Sequence, residues 1–128
     1  MKEKVIVLGA SPKPDRYANK AQHLLTSYGH QVFPVNPAFG EIDGLTCYKT
    51  IEEVPENVDT ITLYLGPPRS EPLVESIIAK KPKRVIMNPG TESEVLREKL
   101  AAAGIIPQTA CTLVLLNTNQ YDKEPLPE

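Results

Sequence analysis

The chain contains 128 residues, of which 41% are hydrophobic and 23% are charged, and this length suits one globular domain whose core needs no disulfide or metal. Its 14 basic and 16 acidic residues give a net charge of −2. The chain therefore lacks the basic excess of most nucleic-acid-binding proteins, which argues against that class. The 13 prolines exceed the usual share of ~5%, but with only 7 glycines the chain stays below the ~25–30% Pro and Gly content typical of disorder.

Neither a targeting segment nor a metal site is predicted. The apolar run of residues 5–10 is shorter than the ~7–15 residues of a signal-peptide core, and no run approaches the ~20 residues of a membrane span. Cys47 and Cys111 lie far apart and have no second thiol or histidine at metal-ligand spacing. We therefore expect a cytoplasmic protein with reduced thiols and with neither a metal nor a membrane association.

The first part of the chain predicts a strand, a helix and a second strand. Residues 5–8 form a continuous apolar run, which is typical of a strand buried on both faces. A helical pattern occupies residues 17–28, with Asp15 placed to cap its start and Gly29 to end it. Residues 32–35 return to an extended, apolar pattern and form the second predicted strand.

Residues 36–59 predict a long link that contains one short helix. Thr50 and Glu53 have the spacing of a capping box, and Pro55 ends the helix that this pattern predicts. The apolar run of residues 60–65 follows as the third strand.

The second half of the chain repeats the alternation. Ser70 is placed to cap a helix with a single apolar stripe, and Thr91 and Glu94 form a second capping box for a helix that reaches Ala103. The stripe consists of Leu73, Val74, Ile77 and Ile78. Two more strands are predicted, at residues 84–87 and 105–108. The run of residues 112–116 fits a helix or a strand, because periodicity does not separate the two in so short a run.

This order predicts an α/β fold, a Rossmann-like doubly wound sheet of about five parallel strands with helices on both faces. We expect a single domain over residues 1–121 and a flexible tail over residues 122–128. Ligands of such sheets bind beyond the carboxyl ends of the strands. The segments at those ends are residues 9–15, 36–37, 66–69 and 88–91, and six prolines fall there: Pro12, Pro14, Pro37, Pro67, Pro68 and Pro89.

The loop after the first strand has features of a phosphate site. A glycine at this turn lets the backbone approach a pyrophosphate, and the next helix offers unpaired N–H groups. Gly9 and the small residues Ala10 and Ser11 suit that role, but Ser11 and Pro14 replace the second and third glycines of the dinucleotide fingerprint. An ordinary strand-to-helix turn explains the same residues.

The residue at the end of the second predicted strand distinguishes a classical NAD site from other nucleotide sites. A classical NAD site carries Asp or Glu there, which holds the ribose hydroxyls. Asn36 stands at that place, which removes the anionic clamp and permits a phosphate nearby. Lys13, Arg16 and Lys20 could supply cations to it, although each alone is also typical of a solvated surface charge.

Three stretches share a recognisable pattern. They read Val-Leu-Gly-Ala-Ser-x-x-Pro-x-Arg at residues 7–16, Gly-x-x-Val-x-Pro-Val-Asn-Pro at residues 29–37 and Asn-Pro-Gly-Thr-Glu at residues 88–92. Together with Cys111 before the last apolar run, they resemble the small stand-alone CoA-binding domains, a family related to the CoA-binding domain of the succinyl-CoA synthetase α subunit. The resemblance extends over residues 4–116, and it also explains Pro34, which by itself argues against a central strand.

The resemblance implies a Rossmann-like fold that binds coenzyme A (CoA) or an acyl-CoA. Gly9, Ala10 and Ser11, with Pro12 beside them, would cradle the pyrophosphate, and Arg16 with Lys13 or Lys20 would meet its charge. The adenosine portion would be bordered by Val35, Asn36 and Pro37. The cleft towards the pantetheine arm would be lined by Leu65, Gly66, Pro67, Asn88, Pro89 and Gly90.

The chain departs from this family pattern in two places. Members often have Phe-Arg near Leu65 and Gly66, and Gln where Asn88 stands. The first departure removes one polar contact, for which Arg69 lies close enough to substitute.

No catalytic residue is predicted. His23 and His30 are expected on the surface or beside a helix, away from the strand ends, and Cys47 has no basic neighbour closer than Lys49. Cys111 is expected to be a packed small side chain. Three functions stay open: a CoA-binding module without chemistry of its own, an NAD(P)-linked oxidoreductase domain, and an interaction subunit with a vestigial nucleotide cleft. A homo-oligomer and a protein partner are also left open.

Overall fold

A five-stranded parallel sheet forms the centre of the molecule. The computed structural model describes residues 2–123, so most of the predicted tail, residues 124–128, lies outside the described residues. The strands are arranged in the order β2-β1-β5-β6-β7, and every neighbouring pair is parallel. Their bounds are Lys4–Leu8 (β1), Gln31–Val35 (β2), Thr60–Leu63 (β5), Arg84–Met87 (β6) and Ile106–Thr109 (β7), and a separate hairpin consists of Glu41–Ile42 (β3) and Leu45–Thr46 (β4).

Helices cover both faces of this sheet. Their bounds are Tyr17–Ser27 (α1), Pro67–Ser70 (α2), Val74–Lys80 (α3), Glu94–Ala102 (α4) and Thr112–Asn117 (α5), with 3-10 turns at Ile51–Glu53 and Glu71–Leu73. Alternate side chains of β1 pack on opposite faces of the sheet. Ile6 belongs to one core cluster, with Ile77 of α3 and Leu100 of α4. Val7 belongs to the other, with Leu25 of α1. The predicted doubly wound α/β fold is confirmed.

The five predicted strands and the main helices are present, but three predicted caps are wrong, and Thr50 stands at its predicted N-cap position without a side-chain capping hydrogen bond. Helix α1 has Arg16, not Asp15, at its N-cap position, and no side chain caps it. Ser70 ends α2 rather than capping a helix. Helix α4 is capped by Ser93, whose Oγ accepts a hydrogen bond from the Leu96 amide at 3.1 Å. The hydroxyl of Thr91 instead donates to the Asn88 carbonyl at 2.8 Å and closes the turn after β6.

The long link between β2 and β5 holds more structure than its pattern predicts. Asp43 and Gly44 have φ angles of +52° and +82° and form the tight turn of the β3–β4 hairpin. The predicted short helix is present as the turn Ile51–Glu53. Beyond the hairpin, Tyr48 bridges in parallel to Val35 at the end of β2, so the chain after it runs beside the carboxyl ends of the strands.

The opposite, amino-terminal edge of the sheet is closed by buried polar contacts. The Arg84 guanidinium, 4% exposed, donates to the Thr60 hydroxyl at 3.0 Å and to the Tyr121 carbonyl at 2.9 Å, and it lies 4.3 Å from the Tyr121 ring centroid. His30, expected on the surface or beside a helix, is buried at this edge. Its Nδ1 accepts a hydrogen bond from the Glu3 amide at 2.9 Å, and its ring packs against Tyr121. Burial lowers the pKa of His30.

Candidate functional site

Two adjoining cavities open at the carboxyl ends of β1, β2 and β5. The first, here the polar cavity, has a volume of about 380 Å³ and is lined by Gly9, Ala10, Ser11, Lys13, Arg16, Tyr17, Ala18, Asn36, Phe39, Tyr64, Leu65 and Arg69. The second, here the apolar cavity, has a volume of about 550 Å³ and is lined by Leu8, Gly9, Val35, Asn36, Pro37, Lys49, Thr50, Ile51, Glu52, Leu65, Pro68, Arg69, Pro72, Leu73 and Ser76. Both volumes lie within the ~300–1,000 Å³ typical of small-molecule sites.

The turn after β1 forms the wall between the two cavities. Gly9 has a φ of +91°, and a Cβ placed on it would lie 2.9 Å from Leu65 Cδ2 and 3.0 Å from the Tyr64 carbonyl oxygen. The amides of Gly9 and Ala10 both donate to the Val35 carbonyl, at 3.0 and 3.2 Å. Glycine is therefore required here by backbone conformation and by the close approach of the chain after β5.

Hydrogen bonds within the protein also occupy the next polar groups of the turn. The Ser11 amide donates to Gln22 Oε1 at 3.2 Å, and the Lys13 amide donates to Ser11 Oγ at 3.1 Å. Asn36 Nδ2 donates to the Ala10 carbonyl at 2.8 Å, while Asn36 Oδ1 accepts from the Ala38 amide at 2.8 Å. A ligand would therefore meet the Ser11 hydroxyl hydrogen and the uncapped first turn of α1 rather than the amides of residues 9–11.

Positive charge surrounds the polar cavity. Lys13, Arg16 and Arg69 line it, and none of its lining residues is acidic. Within residues 2–123, no carboxylate forms an ion pair with these three side chains. The start of α1 adds the positive end of a helix dipole on the same side. This arrangement suits an anion that carries more than one charge.

The structure brings together nine of the sixteen predicted site residues. Those that line one or both cavities are Gly9, Ala10, Ser11, Lys13, Arg16, Val35, Asn36, Pro37 and Leu65. The other seven are in neither lining set: Pro12, Lys20, Gly66, Pro67, Asn88, Pro89 and Gly90. Lys20 instead lines a groove beside α1 and α5, with its Nζ 5.4 Å from the Tyr17 ring centroid.

Asn88 serves the interior of the fold. Its side chain is 2% exposed, and its Nδ2 donates to the Thr62 hydroxyl at 2.7 Å and to the Leu63 carbonyl at 2.9 Å. Its Oδ1 accepts from the Thr112 amide at 2.9 Å. Asn88 thus joins the ends of β5 and β6 to the start of α5, which is a structural role that the family pattern does not indicate.

Several lining residues are missed by the sequence analysis. Lys49 and Glu52 reach the apolar cavity only because Tyr48 bridges to β2, a long-range contact that no local pattern encodes. Phe39 and Tyr64 add aromatic surface to the polar cavity. The Asp-Gly turn of the hairpin is the signal that could have shown that the link folds back on β2.

The histidines and cysteines lie outside both cavities, and burial disfavours ionisation of Cys47 and Tyr64. The residues that line the two cavities include no histidine and no cysteine. Burial raises the pKa of the Cys47 thiol, and it raises the pKa of Tyr64 to about 12 despite the nearby Thr112 and Thr62 hydroxyls. Across residues 2–123 there is no cluster of three or more His, Cys, Asp or Glu that could hold a metal, and no helix with the length and apolarity of a membrane span.

Comparison with known proteins identifies the family. The family model described as a CoA binding domain matches residues 3–117, which is most of the chain. The chain belongs to this family of CoA-binding domains. The resemblance deduced from the strand-end motifs is thereby confirmed, and it extends over nearly the whole of the described structure.

Individual relatives of this CoA-binding domain differ in size. It is 40% identical over 55 residues to an ADP-forming acetate–CoA ligase I of Archaeoglobus fulgidus, a match that covers 43% of the chain but 8% of the ligase. The crystal structure of an uncharacterized protein is 43% identical, with a TM-score of 0.89 and coverage of 94% of this chain and 99% of that one. A hypothetical protein from Pyrococcus horikoshii is 30% identical, with a TM-score of 0.87 and coverage of 91% and 83%.

Replacing Gly9 tests whether the turn between the cavities is sterically fixed. Gly9→Ala is expected to lower the free energy of unfolding by about 2–4 kcal/mol, because it combines an unfavourable φ with contacts closer than 3.1 Å. Gly90→Ala is the matched control, since Gly90 also has a φ of +91° but its added Cβ meets nothing within 4 Å. Denaturant unfolding measures both variants, and equal losses would show that the neighbours of Gly9 yield freely.

Proposed function

We propose that this CoA-binding domain binds coenzyme A or an acyl-CoA in the two adjoining cavities and catalyses no reaction by itself. The observation that carries the proposal is the polar cavity, with three cationic side chains, no carboxylate and a helix start on one side. The match to the CoA binding domain family over residues 3–117 supports the same ligand class.

The two cavities suit two parts of such a ligand. In the polar cavity, Lys13, Arg16 and Arg69 would neutralise the pyrophosphate, and the Ser11 hydroxyl would donate a hydrogen bond to it. In the apolar cavity, Val35 and Pro37 would contact the adenine ring. The pantetheine arm would then leave towards the chain after β5 and β6, near Gly66, Pro67, Pro89 and Gly90.

A binding role without catalysis agrees with the chemistry of the cavity walls. The histidines are remote from the cavities, since His30 is buried at the amino-terminal edge and His23 pairs with Asp43 at 3.1 Å. The activity of the Archaeoglobus ligase belongs to a much longer protein, of which this chain spans 8%. A module that senses or delivers acyl-CoA needs no reacting group, and the two free cysteines agree with the predicted cytoplasmic setting.

The two other functions considered are less well supported. An NAD(P)-linked domain would use a carboxylate at the end of β2, but Asn36 stands there. Its Nδ2 donates to the Ala10 carbonyl and its Oδ1 accepts from the Ala38 amide, so both polar atoms of the side chain are already hydrogen-bonded. An interaction subunit with a vestigial cleft would not account for the three cations around one cavity. Unpaired cations repel one another, and a bound anion would relieve that repulsion.

Thermal unfolding in parallel with CoA, acetyl-CoA, NAD, NADP and ADP tests the proposal. CoA at about 100 times its dissociation constant should add about 2.7 kcal/mol to the free energy of unfolding, and acetyl-CoA should act similarly. Stabilisation by NAD or NADP alone would favour the oxidoreductase domain. The interaction subunit would be supported by the absence of any response.

Arg16→Ala localises the binding. Arg16 lines the polar cavity and has no ion-pair partner within residues 2–123, so its removal should weaken CoA binding about tenfold with little change in the unfolding temperature without ligand. Lys99→Ala removes an exposed cation on α4, outside both cavities, and should leave the affinity unchanged. Calorimetric titration gives both affinities, and a loss of the same size in the two variants would remove Arg16 from the site.

A further inference from the structure

Lys49 presents a separate positive charge to the apolar cavity. It lines that cavity but not the polar one, and its side chain is exposed. Within residues 2–123 its ammonium group has no carboxylate partner and no hydrogen bond. A cation on the wall of a largely apolar cavity is a candidate for contact with a ligand anion.

The residue before Lys49 is anchored to the end of β2. The Tyr48 amide donates to the Pro34 carbonyl at 2.9 Å, and the Asn36 amide donates to the Tyr48 carbonyl at 2.9 Å. The Lys49 amide itself donates to Glu53 Oε1 at 3.3 Å. Lys49 thus directly follows a residue that is anchored beside the end of β2, and its side chain is the part that a ligand would order.

One acidic residue, Glu52, also lines the apolar cavity. Its carboxylate accepts a hydrogen bond from the hydroxyl of Ser76 on α3, which holds it on the α3 side of the cavity. The Ser76 hydroxyl also lowers the pKa of Glu52, so the carboxylate stays ionised at neutral pH and has little tendency to share a proton with a ligand phosphate. Within residues 2–123 Lys49 forms no ion pair with Glu52, so its charge stays available to a ligand.

The cations of the two cavities form two groups. Lys13 and Arg16 line only the polar cavity, Arg69 lines both, and Lys49 lines only the apolar cavity. A ligand with a single diphosphate group would use the first group and leave Lys49 without a counter-charge. A nucleotide that carries a second phosphate on its ribose would place anions at both groups, with the ribose between them.

We infer that Lys49 binds the ribose phosphate of a 3′-phosphorylated adenine nucleotide and so selects such ligands over their 3′-dephospho forms. The inference rests on the proposed function, because CoA is the nucleotide that carries this phosphate. Lys49 would act as a specificity-determining residue. Its contribution would appear in the ratio of two affinities rather than in binding as such.

Calorimetric titration of CoA and of 3′-dephospho-CoA into the wild type and into Lys49→Gln tests the inference. The wild type should bind CoA about tenfold more tightly, and the variant should lose that preference through weaker CoA binding alone. Its affinity for 3′-dephospho-CoA should stay within about twofold of the wild type, because the neutral side chain keeps the shape of the cavity wall. Lys99→Gln is the matched control, since it removes an exposed lysine outside both cavities and should change neither affinity.

The outcomes distinguish a failure of this inference from a failure of the proposed CoA binding. Equal affinities of the wild type for the two ligands would overturn it, as would an equal weakening of both in Lys49→Gln. If neither ligand binds the wild type, the proposed function itself fails. An unchanged unfolding temperature of the unliganded variant, measured first, ensures that a loss of affinity does not come from unfolding.

Discussion

One carbonyl group organises the candidate site. The Val35 oxygen, at the end of β2, accepts hydrogen bonds from the amides of both Gly9 and Ala10 at the end of β1. The chain leaves the sheet at Gly9, where the positive φ and the close approach of Leu65 disfavour any side chain. The turn lies between the two cavities, since Gly9 lines both, and it leads into the start of α1.

The rigid turn gives each cavity a different character. On one side, the chain continues through Ser11 and Lys13 to a helix start with free positive charge. On the other side, three prolines contribute to the wall, since Pro37, Pro68 and Pro72 all line the apolar cavity. Proline restricts φ and so limits the entropy that such a wall loses when a ligand binds. The proline excess of the sequence is thereby partly explained, although Pro12, Pro14, Pro67 and Pro89 lie outside the two linings.

Local sequence pattern predicts the sheet well because its strands are buried apolar runs. Nine of the residues that line the two cavities are among those indicated by the strand-end rule, by the charge pattern and by the family resemblance. The caps are predicted poorly: Thr91 and Ser93 are both suitable residues, and only the hydrogen bond of Thr91 to Asn88 decides between them. Lys49 and the buried role of Asn88 depend on contacts between distant parts of the chain. Such contacts are set by tertiary packing, which one sequence without its fold does not display.

The central claim is that CoA occupies the two cavities at the carboxyl ends of the strands. A titration of the ¹⁵N-labelled protein with CoA, followed by amide NMR, tests it most directly. The account predicts that the largest shift changes occur at residues 9–18, at Asn36 and at residues 49–52, while the amides of Thr60 and Arg84 at the opposite edge stay unchanged. Changes concentrated at that opposite edge or in the groove between α1 and α5, or no change at saturating CoA, would contradict it.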